Sequence, residues 1–187
     1  MKKLLLLLLI LIVLLSCGRG GKELYTAPSR VVPDSFAIGL NLFNKGRAAS
    51  RNSANMDSVL FYMQLAENFF KREGDKAQVN RFIAFIYSSR GMLDEAMPYF
   101  LKASRMANEW QYSSICQEVA KVYAAAGRFR EGVLVMDLIR KNMNDRTVVP
   151  YYHLAKGNLW AGVNEYDSAV TYYRTCLLYT SDAADEL

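Results

Sequence analysis

Three cysteines, one histidine and a recurring set of carboxylates are the residues of this 187-residue chain whose types could do chemistry. Cys17, Cys116 and Cys176 form no disulfide framework and no metal-ligand cluster at a familiar spacing. Cys116 reads as a small core side chain in an apolar helix face rather than a nucleophile. His153 has no cysteine or acidic neighbour in sequence, so neither a histidine-based metal site nor a proton relay is expected. Asp57, Asp94, Glu95 and Asp167 each stand where a helical pattern begins, and a carboxylate there complements the helix dipole. That position accounts for them without paired acid–base catalysis. Tyrosines and phenylalanines recur at helical spacing, which points to packing rather than a base-stacking platform. The sequence has no glycine-rich phosphate loop, nucleophile elbow or metal-ligand motif. The expectation is a protein that is not an enzyme and takes no cofactor or metal.

Cys17 has a different context. Lys2 and Lys3 precede an unbroken apolar run, Leu4 to Leu15, and then Ser16 and Cys17. A basic start, an apolar run and a small residue at its end describe a secretory leader. The run is shorter than the ~20 residues needed to span a ~30 Å hydrocarbon core. Leu14-Leu15-Ser16-Cys17 resembles the bacterial lipobox. The resemblance implies that the Cys17 thiol receives diacylglycerol and becomes the new N-terminus. The resulting anchor would carry more than one acyl chain, enough for stable attachment. An ordinary signal sequence and an uncleaved anchor are the alternatives. Residues 1–16 are thus read as leader and 17–33, with Gly, Arg, Lys, Ser and Pro and no periodicity, as a tether. The implied location is the cell envelope, lipid-anchored and facing the periplasm, with inner and outer membrane both open.

At the other end, Cys176 to Glu186 resembles a translated sequencing adapter. Residues 176–187 are therefore expected to be a non-native tail on a gene fragment that continues past Thr175; a genuine helix end with a polar tail is the alternative. From Cys17 to Thr175 there are 21 Lys and Arg against 15 Asp and Glu, with no block of like charge. A nucleic-acid arm is not expected.

The body between these ends is organised by one recurring segment. Its copies begin at Asp57, Asp94, Arg130 and Asp167, at intervals of 37, 36 and 37 residues. A fixed period in the thirties is the signature of a solenoid. Eight helices are predicted. The first opens after Pro33, capped by Asp34 or Ser35, with Phe36, Leu40 and Phe43 as its apolar stripe; Ala48 to Asn55 follows as a loop. The second carries Val59, Met63, Ala66 and Phe70 and breaks at Glu73-Gly74-Asp75. The third carries Ile83, Ala84 and Tyr87 and stops near Gly91. The fourth starts at Asp94, with Pro98 at about the fourth helical position, where a missing donor costs least. The fifth carries Val119, Ala120 and Tyr123 and stops at Gly127. The sixth carries Gly132, Met136 and Ile139. The seventh follows Pro150, and the eighth shows Ala169 and Tyr173.

Ala84, Tyr87, Gly91, Ala96, Phe100 and Ala103 resemble the tetratricopeptide repeat, small residue and aromatic alternating at three- and four-residue spacing. Ala120, Tyr123 and Gly127 match the first half of the next unit, whose second half drifts. Gly157, Trp160, Ala169 and Tyr173 match the last, with Asn164 in place of the turn glycine. The resemblance implies an all-α fold, a right-handed superhelical α-solenoid of about four helix-turn-helix repeats over 34–175, in units 34–73, 75–110, 111–145 and 149–175. It also implies a concave groove lined by the first helix of each pair. Carried over, the lining positions are Gln78, Arg81, Phe85 and Ser88; Ser114, Gln117, Lys121 and Ala124; and Tyr151, Leu154, Asn158 and Ala161. Arg81 and Lys121 would suit a peptide with an acidic group. The expected function is a lipid-anchored scaffold or adaptor that binds an unidentified protein or peptide, with the membrane reached through the N-terminal lipid. The alternatives are the periplasmic sensor portion of a longer membrane-spanning regulator or sensor kinase, and a carbohydrate-uptake outer-membrane lipoprotein.

Overall fold

A computed structural model of the chain describes residues 34–51, 56–139 and 148–185, with side chains described through residue 179. All of them lie in the unit Pro33–Leu187. Among these residues the fold is all-α, with no strand: α1 (Ser35–Arg51), α2 (Met56–Phe69), α3 (Glu73–Ser89), α4 (Leu93–Met106), α5 (Glu109–Ala125), α6 (Phe129–Leu138), α7 (Val149–Gly162) and α8 (Tyr166–Asp185). Short connections pair the helices as α1–α2, α3–α4, α5–α6 and α7–α8. Successive pairs are then joined through α2–α3, α3–α5, α4–α5, α5–α7 and α6–α7.

The turns inside three pairs share one design. Gly91, Gly127 and Asn164 have φ of 76°, 70° and 62°, the left-handed region that glycine enters freely and asparagine tolerates. Past each, a backbone N–H returns five residues: Met92 donates to the Tyr87 carbonyl, Arg128 to Tyr123 and Glu165 to Trp160. This satisfies the orphan carbonyls of α3, α5 and α7 and stops each helix at the same point. The joint before α5 is capped by Asn108, whose side chain accepts from the Gln111 N–H while the Gln111 side chain accepts from the Asn108 N–H.

Two apolar clusters hold the pairs together. The larger runs through α3 to α7 around Phe100, Tyr112, Ile115, Val119, Tyr123, Met136 and Leu159, and Cys116 is fully buried within it. The smaller lies between α2 and α3 and comprises Val59, Met63, Ala66, Phe70, Val79 and Ile83, with Leu42 and Ala49 of α1 against it. Close approach relies on small residues. A Cβ on Gly157 would stand 2.6 Å from the Tyr173 ring, and one on Gly132 would stand 2.8 Å from the Tyr123 Cβ. Ala84, Ala96, Ala103, Ala120 and Ala169 are buried, Tyr87 stacks on Tyr99 with centroids 5.6 Å apart, and Trp160 is half-buried.

Several sequence expectations need correction. The stripe Phe36, Leu40 and Phe43 is only part of the face on which α1 packs: Phe36 meets the Phe70 ring and Phe43 is half-buried against the α2–α3 cluster, while the fully buried residues of α1 are Gly39 and Gly46. Gly39 lies under the Phe70 ring and Gly46 under Met63. Glycines let α2 approach closely and leave Phe36 and Leu40 beside the contact with nearly half of their surface in solvent. The expected loop begins too early, since Ala48 to Arg51 are helical and 52–55 lie outside the described residues. Glu73, Gly74 and Asp75 do not break the chain. They form the first turn of α3, where the two acids favour the helix dipole, and the break is 70–72. Pro98 occupies the sixth position of α4, so its missing N–H removes a bond to the Asp94 carbonyl.

Candidate functional site

The residues predicted to line a groove come from α3, α5 and α7, and their exposure is uneven. On α3, Phe85 is exposed while Gln78, Arg81 and Ser88 are half-buried, the Ser88 hydroxyl donating to the Ala84 carbonyl. On α5, Gln117 and Lys121 are exposed, and Ser114 and Ala124 half-buried. On α7, Tyr151, Leu154 and Asn158 are exposed and Ala161 half-buried. Asn158 Oδ1 accepts from the Tyr173 hydroxyl at 2.9 Å, so its amide also ties α7 to α8.

Phe85, Arg81 and Gln78 come together in a cleft of about 320 Å³ with Phe43, Arg47, Phe82 and Glu118. Beside it a smaller recess of about 100 Å³ is lined by Phe36, Leu40, Phe43, Phe70, Asp75 and Gln78. Phe43 and Gln78 belong to both, so the two hollows form one trough between α1 and α3. The trough is aromatic: Phe43 meets Phe82 edge-on with centroids 5.6 Å apart, and Phe82 lies 6.4 Å from Phe85. Phe36, Leu40 and Phe85 keep 45, 43 and 49% of their surface in solvent. The helices α1 and α3 are not among the closely packed pairs, whereas α3–α5 and α5–α7 are.

Arg81 is not a free cation. Its Nε donates to both carboxylate oxygens of Glu118 at 3.0 Å, and its Nη2 to Oε1 at 2.6 Å. This fork joins α3 to α5 and leaves Arg81 little capacity for an acidic ligand. Other polar pairs also link helices across 34 to 37 residues of sequence. Gln111 donates to the Gly74 carbonyl at 2.8 Å, Lys102 pairs with Glu67 at 2.8 Å, and Arg128 with Asp94 at 2.8 Å. Opposite charges one repeat apart were the signal available in the sequence, and reading one helix at a time passes over it.

A second polar cluster joins α6, α7 and α8. Lys156, on α7, is 95% buried; its ammonium donates to Asp137 of α6 and lies 5.0 Å from the Tyr172 ring centroid. Burial works against its charge, but hydrogen bonds to Asp137 and Tyr172 prevail and raise its pKa above the usual 10.5. Burial likewise pushes the Tyr152 hydroxyl up, and that hydroxyl donates to Asp137 at 3.0 Å. A lysine held protonated in this way is a tie between helices rather than a nucleophile. A charged residue between Ala155 and Gly157 in an apolar stretch was its trace in the sequence. His153 sits beside the cluster, its ring 5.5 Å from Tyr172. Cys176 is half-buried, which raises its thiol pKa. Cys17 lies outside the described residues. Among the described residues no group of three or more potential ligands could hold a metal ion, and no helix is long and apolar enough to cross a membrane.

No protein-family model matches the chain, and no curated protein is significantly similar to it.

Proposed function

We propose that this protein is a lipid-anchored, non-enzymatic interaction module of the bacterial cell envelope. Its helix pairs stack as a tetratricopeptide-like, right-handed α-solenoid, and the first helices of the pairs present a peptide- or protein-binding face. The stacking is supported by the left-handed turn residues Gly91, Gly127 and Asn164, spaced 36 and 37 residues apart, and by polar pairs that join each unit to the next. The observation that carries the binding role is the apolar trough between α1 and α3, where Phe36, Leu40 and Phe85 are exposed about Phe43 and Phe82. Exposed apolar surface gathered in this way marks a contact site more often than chance.

Selection of a displayed random-peptide library on the immobilised protein tests this role. Binders should be recovered whose retention falls with Phe85→Asp, Lys121→Glu or Leu154→Asp while helicity by circular dichroism is unchanged. Binders indifferent to all three substitutions, or no binders at all, would refute it. The anchor has a separate test: Cys17→Ala should abolish both membrane fractionation and incorporation of radiolabelled lipid. Membrane retention without label would instead indicate an uncleaved signal anchor.

A further inference from the structure

The trough between α1 and α3 has the dimensions and charge of a seat for one secondary-structure element. Along α1 its wall runs from Phe36 to Arg47, about 16 Å at 1.5 Å per residue, or three helical turns. Phe36, Leu40 and Phe43 are spaced at four and three residues; Phe82 and Phe85 of α3 stand about the larger hollow with Phe43, and Phe70 and Gln78 about the smaller one with Phe36 and Leu40. An amphipathic helix laid in such a trough would place its own i, i+3/i+4 and i+7 side chains into the two hollows.

The charges at the two ends differ. Beside the larger cleft, the exposed Arg47 has no ion-pair partner among the described residues, while Arg81 and Glu118 neutralise each other. At the far end the trough meets a recess of about 290 Å³ lined by Asp34, Ser35, Phe36, Lys71, Arg72 and Asp75, two acids against two bases. One end is therefore cationic and the other balanced.

Resting on the binding role above, we propose that this trough docks an amphipathic helix of about three turns from a partner protein, carrying an acidic side chain at the end that lies against Arg47. The aromatic walls supply the affinity and Arg47 sets the direction of the docked helix.

The test uses the full chain in phosphatidylcholine nanodiscs, with empty discs as control, and fluorescein-labelled designed helices of about 14 residues that share one apolar stripe and differ only at one end, Glu, Gln or Lys. The Glu peptide should bind about fivefold more tightly than the Lys peptide, and Arg47→Glu should invert that order. Phe43→Ala with Phe85→Ala should weaken all three about tenfold or more, with helicity retained. Equal affinity for the three peptides, or affinity unmoved by the phenylalanine substitutions, overturns the proposal. So does self-association that the phenylalanine substitutions abolish, which would give the trough to a second copy, or binding to anionic vesicles that they abolish, which would give it to a lipid surface. If library binders respond to Lys121→Glu and Leu154→Asp but not to Phe43→Ala, the wider binding face stands and this seat alone fails.

Discussion

The junction between α1 and α3 and the junction between α3 and α5 join the first helices of successive pairs in opposite ways. The α3–α5 junction is closed: Arg81 grips Glu118 with three hydrogen bonds, Gln111 reaches the Gly74 carbonyl, and Tyr112 and Ile115 are fully buried beneath. At α1–α3 the polar clasp is missing among the described residues and phenylalanine rings face a trough instead. The difference teaches where this architecture can afford to leave apolar surface unspent. Gly39 and Gly46 let α1 approach α2 closely, and while Leu42 and Phe43 pack against the α2–α3 cluster, Phe36 and Leu40 keep nearly half of their surface in solvent. In the middle of the chain aromatic residues such as Phe100, Tyr112 and Tyr123 are consumed by the core.

The sharpest way to break this contrast is to truncate one side chain on each side of it. Ile115→Ala should cost about 2–5 kcal/mol in urea denaturation, because a fully buried aliphatic leaves a cavity. Phe85→Ala, half in solvent already, should cost about 1 kcal/mol or less. Similar losses at the two sites would mean that the trough is a strained part of the core and not a surface held open.

A smaller effect separates the glycines. A Cβ on Gly132 meets the Tyr123 Cβ, an atom fixed to its helix, at 2.8 Å. The resulting strain should outweigh the gain in helix propensity, so Gly132→Ala should lower stability by about 1–2 kcal/mol. A Cβ on Gly46 meets the Met63 Cε at 2.6 Å, the far end of a flexible side chain that can swing away. Gly46→Ala should therefore change the unfolding free energy by less than about 0.5 kcal/mol. A large loss at Gly46 would show the first pair to be as tightly set as the third.

The smallest effect sharpens the comparison at its polar clasp. Arg81 and Glu118 keep 20% and 25% of their side-chain surface exposed, so solvent screens the pair. A double-mutant cycle of Arg81→Ala with Glu118→Ala should return a coupling of about 0.5–1 kcal/mol that shrinks as salt is raised. No coupling at low salt would leave buried surface alone to close the α3–α5 junction.

Much of the helical frame was legible because it is written locally. Gly91 and Gly127 end their helices where the sequence suggests, and Asn164 takes the glycine's place because its side chain tolerates the left-handed region. The buried Ala84, Ala96, Ala103, Ala120 and Ala169 recur at helical spacing, so the faces of α3, α4, α5 and α8 could be read without their partners. Cys116, read as a core residue, is buried. The break before α3 was misplaced because Glu73-Gly74-Asp75 combines a helix breaker with two residues that favour a helix start. The helix start wins: Glu73 and Asp75 stand in the first turn, and the Asp75 and Lys76 N–H groups donate to the Arg72 carbonyl.

The sequence by itself determined the succession of helices and the positions of three of the turns between them, since propensity, capping and left-handed turn residues act within a few positions. Only the tertiary structure decided which face of α1 would be buried, that Arg81 would be neutralised by Glu118 rather than left for a ligand, and that Lys156 would sit in the interior held by Asp137. Each of those outcomes depends on a side chain from elsewhere in the chain: Phe70 and Met63 over the glycines of α1, Glu118 at 37 residues from Arg81, and Asp137 at 19 residues from Lys156. Packing compares the alternatives on all neighbouring helices at once, and two glycines with no side chain of their own take the centre of the α1–α2 contact while the apolar stripe stands at its margin.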